Sequence, residues 1–205
     1  MSRGRSRRQE QADQTRILIL DAALHLFATQ GYSATSVAQI AEEAGVAVPT
    51  VYTSVGAKPV LIRKLLDRID ELAGIPELGA QQREAKSPEQ VIAFVARLTR
   101  QLSERCGDIM TALRSAAGAA PELAELLAEG DSRHLEGARQ AAGRLAAMKG
   151  LRPGLTTDRA TAVIDTCTQP SAYARWTGVH GLSFDEAEAQ ITQILTNELL
   201  AQSEW

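Results

Sequence analysis

Apolar residues recur every three or four positions through most of the chain, and this periodicity constrains the fold more than any other feature. In the first segment, Ile17, Leu20, Leu24 and Phe27 follow the spacing i, i+3, i+7 and i+10. This spacing places the four side chains on one face of a helix. No stretch shows the sustained alternation of apolar and polar residues that is typical of a half-buried strand. We therefore expect an all-α fold.

Residues that begin and end helices divide the pattern into segments. Three pairs have the spacing of a capping box, in which two side chains satisfy the first free amides of a helix: Ser36 with Gln39, Ser87 with Gln90, and Ser183 with Glu186. Residues 74–86 contain Gly, Pro and Gln and indicate a domain boundary. We expect helices over about 12–29, 36–44, 48–56, 58–73, 87–107, 109–117, 121–148, 157–167 with a continuation after Pro170 to Gly178, and 184–202.

Charge is distributed unevenly along the 205 residues, although the net charge is only −3. Residues 1–68 carry nine Lys/Arg and six Asp/Glu, a balance of +3, whereas residues 69–205 carry thirteen and nineteen, a balance of −6. Much of the excess comes from Arg3, Arg5, Arg7 and Arg8, which precede the first acidic residue. A basic N-terminal segment of this kind favours a polyanion as the partner of that end.

Several classes of protein are disfavoured by the sequence. The apolar fraction of 44% and the charged fraction of 23% are those of a globular domain, and no apolar run approaches the roughly 20 residues of a membrane span. The basic start lacks the apolar segment of a secretory signal, so we expect a cytoplasmic protein with Cys106 and Cys167 as free thiols. HExxH, GxSxG and P-loop motifs are absent, and His25, His134 and His180 are far apart. We expect no catalytic residues, no metal and no cofactor.

The most informative local pattern is a short helix, a turn at Gly45 and a second short helix that begins near Val48 and Pro49. This is the layout of a helix-turn-helix, whose second helix fits the roughly 12 Å wide major groove of B-DNA. Helical bundles also contain such corners for packing alone, so spacing by itself leaves both interpretations open.

The residues in and around this corner resemble the N-terminal domain of the TetR family of bacterial transcriptional repressors. The resemblance covers residues 15–66 in order and with the usual spacing, while the remainder resembles the family in length and helix pattern. The matching elements are Ile19, Ala22–Ala23, Leu26–Phe27, Gly31–Tyr32, Thr35–Ser36–Val37, Ile40–Ala41, Ala44–Gly45–Val46, Thr50–Val51–Tyr52, Lys58 and Leu61.

The resemblance implies a set of DNA contacts in residues 12–73. Two hydroxyls at the start of the second helix, one tyrosine and one lysine would hold phosphates. The exposed part of the third helix would meet base edges. These residues are Thr35, Ser36, Tyr52 and Lys58 for phosphates, and Val48, Pro49, Thr50 and Thr53 for bases. Residues 1–11 would form a basic arm through Arg3, Arg5, Arg7 and Arg8, or else a solubilising tail.

Three positions depart from the family pattern. Ala47 replaces the frequent serine, so the third helix lacks that cap, and Val55 replaces a larger phenylalanine. Ala57 and Pro59 flank Lys58 where serine and glutamate are usual. The largely apolar recognition face predicts readout by thymine methyl contacts, DNA shape and dimer spacing.

The resemblance further implies that residues 74–205 bind an effector and dimerise. The dimer seam would contain Ile191, Ile194, Leu195 and Leu199, unless the same stripe packs inside the monomer. A pocket for a hydrophobic or weakly anionic molecule would draw on Phe94, Leu98, Met110, Leu113, Arg114, His134, Tyr173 and Trp176.

Together these observations predict a homodimeric repressor, which a small and largely apolar effector would release from a palindromic double-stranded DNA operator. A membrane is not expected as a partner. Three alternatives remain at this point: a transcriptional activator with the same chemistry, a helical small-molecule carrier that uses the corner for packing only, and an enzyme whose site is assembled by folding.

Overall fold

The computed structural model describes residues 7–119 and 121–201, and this part of the chain is almost entirely helical. It contains a 3-10 turn at Ala117–Ala119 and one isolated bridge between Leu151 and Leu200, but no strand, so the all-α prediction is confirmed. The helices are α1 (Arg7–Gln30), α2 (Val37–Glu43), α3 (Val48–Ser54), α4 (Lys58–Ala73), α5 (Ile75–Glu84), α6 (Pro88–Ala116), α7 (Pro121–Ala147), α8 (Thr157–Cys167), α9 (Pro170–Gly178) and α10 (Phe184–Leu199).

Two compact units make up the described chain. The first unit combines the described residues up to Ile69 with those in Asp108–Ala128, and the second unit combines Asp70–Gly107 with the described residues from Glu129 onward. The sequence instead predicted one division at residues 74–86. Periodicity shows which residues are buried but not which distant segments share a core, and for this reason the return of 108–128 to the first unit was not foreseen.

The first unit is built on the apolar face of α1. Ile19 and Ala23 are fully buried, and Phe27 is 1% exposed. Phe27 also packs edge-to-face on Tyr32 in the turn after α1, with ring centres 5.2 Å apart. Such aromatic pairs add about 0.5–1.5 kcal/mol to the burial of their surface, so this turn is held firmly against α1.

The second unit has a core to which α6, α7, α8, α9 and α10 all contribute. Tyr173 of α9 is fully buried in it, and its hydroxyl donates a hydrogen bond of 2.7 Å to the carbonyl of Phe184. The carbonyl thereby gives the buried phenol the hydrogen-bond partner that a tyrosine hydroxyl needs away from water.

The predicted dimer seam is corrected by this core. Ile191, Leu195 and Leu199 are fully buried within the single chain, where they pack in the second unit, and Ile194 is half-buried. The stripe on α10 therefore serves the monomer, and three of the four predicted seam residues have no surface left for a partner.

Three helix boundaries also differ from prediction. The segment 7–11 is already helical, since its Arg, Gln and Glu residues are good helix formers. The predicted boundary contains α5, because Pro76 falls in the first turn, where a missing amide hydrogen bond has no cost. Helix α6 continues through Gly107, since one glycine inside a long helix costs only about 1 kcal/mol.

Among the described helices, none combines the length and the apolar character that a membrane crossing requires.

Candidate nucleic-acid interface

Helices α2 and α3 form the corner that the sequence predicted. Ser36 caps α2 by accepting from the backbone amide of Gln39, and the Gln39 side chain accepts from the amide of Ser36 in return. Gly45 then adopts φ +66°, a left-handed conformation that favours glycine. The amide of Val46 bonds to the carbonyl of Ala41 at 2.9 Å, which closes the turn.

Helix α3 has one buried face and one solvent face. Val51 is fully buried, and so is Val55 directly after the helix. On the opposite side, Val48 is 37% exposed and Tyr52 is 51% exposed, and their i, i+4 spacing makes them neighbours on the surface. The solvent face of α3 therefore presents apolar surface that is accessible to a partner.

Polar groups flank this apolar stripe. Thr53 is exposed, and its hydroxyl donates to the carbonyls of Pro49 and Thr50, each at 3.1 Å, so its oxygen lone pairs remain able to accept. Pro49 is exposed and Thr50 is half-buried. The solvent face of α3 is therefore suited to methyl contacts, with few direct hydrogen bonds to bases.

The departures at Ala47 and Val55 have visible consequences. Ala47 occupies the N-cap of α3 and provides no side-chain hydrogen bond, as predicted. Pro49 lies in the first turn and removes one of the amides that would need a partner. Val55 is smaller than phenylalanine but is still fully buried.

Thr35 is turned away from solvent. Thr35 is 2% exposed, and its hydroxyl donates to the carbonyl of Gly31 at 2.9 Å. In the free protein the Thr35 hydroxyl therefore closes the turn between α1 and α2, and the predicted phosphate contact would have to compete with this bond. Ser36, the next residue, remains exposed at the start of α2.

Lys58 is also directed into the domain. Its ammonium donates to the carbonyls of Tyr32 at 2.6 Å and Thr35 at 2.7 Å, and it lies 3.9 Å from the centre of the Tyr32 ring. Burial lowers the pKa of Lys58, and the nearby Glu122 carboxylate opposes that change. The predicted phosphate contact would have to compete with these partners.

Sequence reasoning missed two links between distant residues in the first unit. Lys64 of α4 donates to the carbonyl of Ser54 at 3.3 Å and so satisfies the end of α3. His25 of α1 pairs with Glu43 of α2 through Nδ1 and Oε1 at 3.0 Å. The partners are 10 and 18 residues apart in the sequence, and no local sequence pattern predicts such pairs.

The structure describes the predicted arm from Arg7 onward. Arg3 and Arg5 lie outside the described residues. Arg7 and Arg8 are exposed in the first turn of α1. Their guanidinium groups are thus carried by a helix.

Comparison with known proteins finds a family match over the corner. Residues 19–61 match the family model described as "Bacterial regulatory proteins, tetR family". This segment of the chain matches the TetR family. The comparison with curated proteins finds no match.

Solved structures of TetR-family and other regulators share the fold over most of the chain. NalD of Pseudomonas aeruginosa, the secondary repressor of the MexAB-OprM multidrug efflux pump, has a TM-score of 0.71 at 21% identity, over 94% of this chain and 100% of that one. A Saccharomonospora viridis transcriptional regulator in complex with choline has 0.70 at 18%, over 93% and 100%. Bacillus subtilis FadR in complex with stearoyl-CoA has 0.72 at 17%, over 88% and 97%.

The residues predicted to line an effector pocket are distributed over both units. Met110, Leu113 and Arg114 belong to the first unit, and Leu113 is 1% exposed. The others belong to the second unit, where Tyr173 is part of the core and Leu98 is half-buried. Neither unit by itself therefore assembles the predicted set.

Two of the predicted pocket residues already have polar or aromatic partners. His134 Nε2 lies 3.2 Å from the Asp165 carbonyl and 3.3 Å from the Thr168 hydroxyl. Trp176 is half-buried at the core of the second unit, with its ring 5.6 Å from that of His180.

Phe94 is the predicted pocket residue that borders an open cleft. The cleft has a volume of about 240 Å³ and is lined by α5 and α6 through Glu84, Ala85, Gln90, Ala93, Phe94 and Arg97. This volume is below the roughly 300–1,000 Å³ of typical ligand sites. Within the described ranges, no group of three or more His, Cys, Asp or Glu side chains could hold a metal ion.

Proposed function

We propose that the chain is a homodimeric transcriptional repressor that reads an operator with α3 and leaves it when a small molecule binds. The observation that carries the proposal is the solvent face of α3, where Val48 and Tyr52 stand exposed beside Pro49 and Thr53. Apolar side chains on a short helix after a glycine turn are positioned to meet thymine methyl groups in the major groove.

Backbone contacts would orient this helix on the duplex. The Tyr52 phenol is exposed at the edge of the corner and would bond to a phosphate oxygen. The exposed Ser36 hydroxyl donates to Gln39 Oε1 at 2.8 Å in the free protein and would exchange this bond for one to a phosphate. Arg7 and Arg8 add positive charge at the exposed start of α1. With so few hydrogen-bonding groups toward bases, specificity would depend on methyl contacts and on the shape of the DNA.

The homodimer follows from the requirement of DNA reading. A helix of seven residues covers few base pairs, and two copies about 34–36 Å apart would read two half-sites of a palindrome. Because Ile191, Leu195 and Leu199 are buried in the monomer, the contact between copies would use other side chains from the segment 74–205.

Repression and ligand release rest on the structural neighbours. NalD is a repressor, and the Bacillus subtilis and Saccharomonospora viridis proteins hold stearoyl-CoA and choline. We therefore propose an apolar or amphiphilic effector for this chain. Such a ligand must favour the released state by about 5.5 kcal/mol to shift the population from 1:99 to 99:1.

The first experiment is fluorescence anisotropy with the duplex that flanks the protein's own gene. A scrambled duplex of equal length is the control, and both are titrated over a salt series. The proposal predicts selective binding and a 2:1 ratio of chains to palindrome, with log K falling by about 0.9 per neutralised phosphate. Absence of binding even at low salt would refute the DNA-reading role.

Effector release is tested on the same duplex. Fatty acyl compounds and quaternary amines are added to the preformed complex, and the loss of anisotropy is compared with that of a complex formed by an unrelated helix-turn-helix protein. Release of this protein alone supports a specific effector, and release of both indicates a solvent or detergent effect.

A further inference from the structure

The ammonium of Lys58 has contacts on several sides in the free protein. It donates to two backbone carbonyls, those of Tyr32 and Thr35, at 2.6 and 2.7 Å. It lies over the Tyr32 ring at 3.9 Å, and the Phe27 ring centre is 5.8 Å away. An ammonium has three donors, so two carbonyls and one aromatic face account for its bonding capacity.

These carbonyls belong to the turn between α1 and α2, which has several acceptors to satisfy. The Thr35 hydroxyl serves the carbonyl of Gly31 at 2.9 Å, and the Tyr32 carbonyl also accepts from the amide of Thr35 at 3.2 Å. Lys58 supplies a charged donor to the same turn from α4, 26 and 23 residues away in sequence. Loss of this donor would leave the carbonyls of Tyr32 and Thr35 without their charged partner.

The position of the turn decides where the DNA-reading helices stand. Ser36, the N-cap of α2, follows Thr35 directly, and α2 leads through Gly45 into α3. We propose that Lys58 is a positioning residue, which fixes α2 and α3 against α4, and that it does not hold a phosphate. The inference rests on the proposed DNA-binding function.

Glu122 at the start of α7 extends this cluster within the first unit. Its carboxylate acts electrostatically on both Lys58 and Tyr32. Burial lowers the pKa of Lys58, and the Glu122 carboxylate partly offsets this by favouring the charged form of the lysine. Segment 121–128 thereby influences the turn that leads into the reading helices.

The test on the wild-type protein uses the reactivity of its lysines. The chain has four, Lys58, Lys64, Lys86 and Lys149, and each is resolved by mass spectrometry after brief reductive methylation. Lys86 and Lys149 are exposed in the second unit and serve as internal references. We expect Lys58 to react more slowly than Lys86 without DNA, and its rate to change less than twofold on the operator duplex.

The opposite labelling pattern would overturn the proposal. If Lys58 reacts as fast as Lys86 in the free protein and becomes at least tenfold slower on DNA, its ammonium binds a phosphate. Strong labelling of Lys58 in both states would likewise contradict the contacts described above.

Substitution gives a second and independent readout. Lys58→Met and Lys58→Arg are compared with Lys86→Met, which removes the same charge from an exposed site of the second unit. If Lys58 binds a phosphate, the slope of log K against log[salt] becomes shallower by about 0.9 in Lys58→Met and is unchanged in Lys58→Arg. If Lys58 is a positioning residue, both variants keep the wild-type slope. In Lys58→Met the affinity for the operator then falls about tenfold, and the melting temperature of the free protein falls as well.

The two proposals fail in different ways. If the wild-type protein binds no duplex selectively, the proposed function fails, and the labelling of free Lys58 still reports its contacts. If the wild type binds and Lys58→Met loses slope without loss of melting temperature, the positioning role alone is wrong.

Discussion

Arg68 of α4 holds Asp21 of α1 through two parallel hydrogen bonds, from Nε to Oδ1 at 2.6 Å and from Nη2 to Oδ2 at 2.9 Å. The Arg68 side chain is only 14% exposed, whereas that of Asp21 is 41% exposed. A bidentate pair of this kind constrains direction as well as distance. It therefore fixes the angle of α4 against the helix on which the first unit is built.

We predict that Asp21→Ala lowers the free energy of unfolding by about 1–2 kcal/mol, because a partly buried guanidinium loses its charged acceptor. Arg68→Lys is expected to lose a similar amount, since an ammonium cannot make both bonds. Urea denaturation measures both. The control is Asp13→Ala, which breaks the exposed pair between Asp13 and Arg16 and should change stability by less than about 0.5 kcal/mol.

Val48→Ala is predicted to weaken operator binding and to leave stability unchanged. The side chain is 37% exposed on α3, so its methyl groups contribute to the DNA contact and little to the fold. Loss of one apolar base contact should reduce affinity by about 1 kcal/mol, a factor of five to ten. The matched control is Val179→Ala, an exposed valine of the second unit, and equal losses in the two variants would contradict the placement of α3 in the groove.

Two glycine substitutions separate backbone strain from steric overlap. Gly56 has φ +91°, and a Cβ there would lie 2.9 Å from Cγ1 of Val60. Gly45 has φ +66°, with no atom within 4 Å of such a Cβ. We expect Gly45→Ala to cost about 1 kcal/mol from strain alone and Gly56→Ala to cost at least about 1 kcal/mol more. Thermal unfolding of the two variants gives the difference, and equal costs would contradict the overlap with Val60.

Tyr173 predicts an alkaline limit to stability. Burial raises the pKa of Tyr173 from 10.0 to about 12. The folded protein keeps the phenol proton where the unfolded chain has lost it, so this contribution is complete below about pH 10 and is lost as the pH rises toward 12. Denaturation in urea from pH 8 to 11 should show stability falling with pH, and less steeply in Tyr173→Phe.

The phenylalanine variant also carries a direct cost. Without the hydroxyl, the Phe184 carbonyl loses its 2.7 Å donor, and we expect about 1–2 kcal/mol at neutral pH. Tyr52→Phe, at an exposed tyrosine, is the control and should leave stability at neutral pH unchanged. Burial also raises the pKa of Tyr32, so part of the alkaline dependence should persist in Tyr173→Phe.

The helix-turn-helix corner could be predicted because its determinants are local. Ser36 and Gln39 form their capping box within one turn of helix, and Gly45 adopts the left-handed conformation that its position between two short helices indicates. Such signals act over three or four residues and need no knowledge of the rest of the fold. The predicted capping box of Ser183 with Glu186 is confirmed for the same reason.

The partners of the candidate site residues could not be predicted, because they depend on contacts between distant segments. Lys58 was assigned to DNA from its place in the resemblance, whereas its carbonyl partners lie more than twenty residues earlier. Likewise, the apolar stripe with Ile191 and Leu195 predicts a dimer seam, whereas both side chains are buried within the single chain, because periodicity does not say which segment covers a stripe.

The inward direction of Lys58 and Lys64 determines how the first unit meets DNA from a distance. Both lysines of the first 69 residues donate to backbone carbonyls, so the exposed positive charge of their described part comes from arginines such as Arg7, Arg8 and Arg63. Electrostatic steering, which brings association rate constants to about 10⁸–10⁹ M⁻¹s⁻¹, requires a concentrated patch of charge. Because charges at the edge of an interface act mainly on the association rate, neutralising Arg7 or Arg8 should slow capture of the operator at low salt and leave the residence time nearly unchanged.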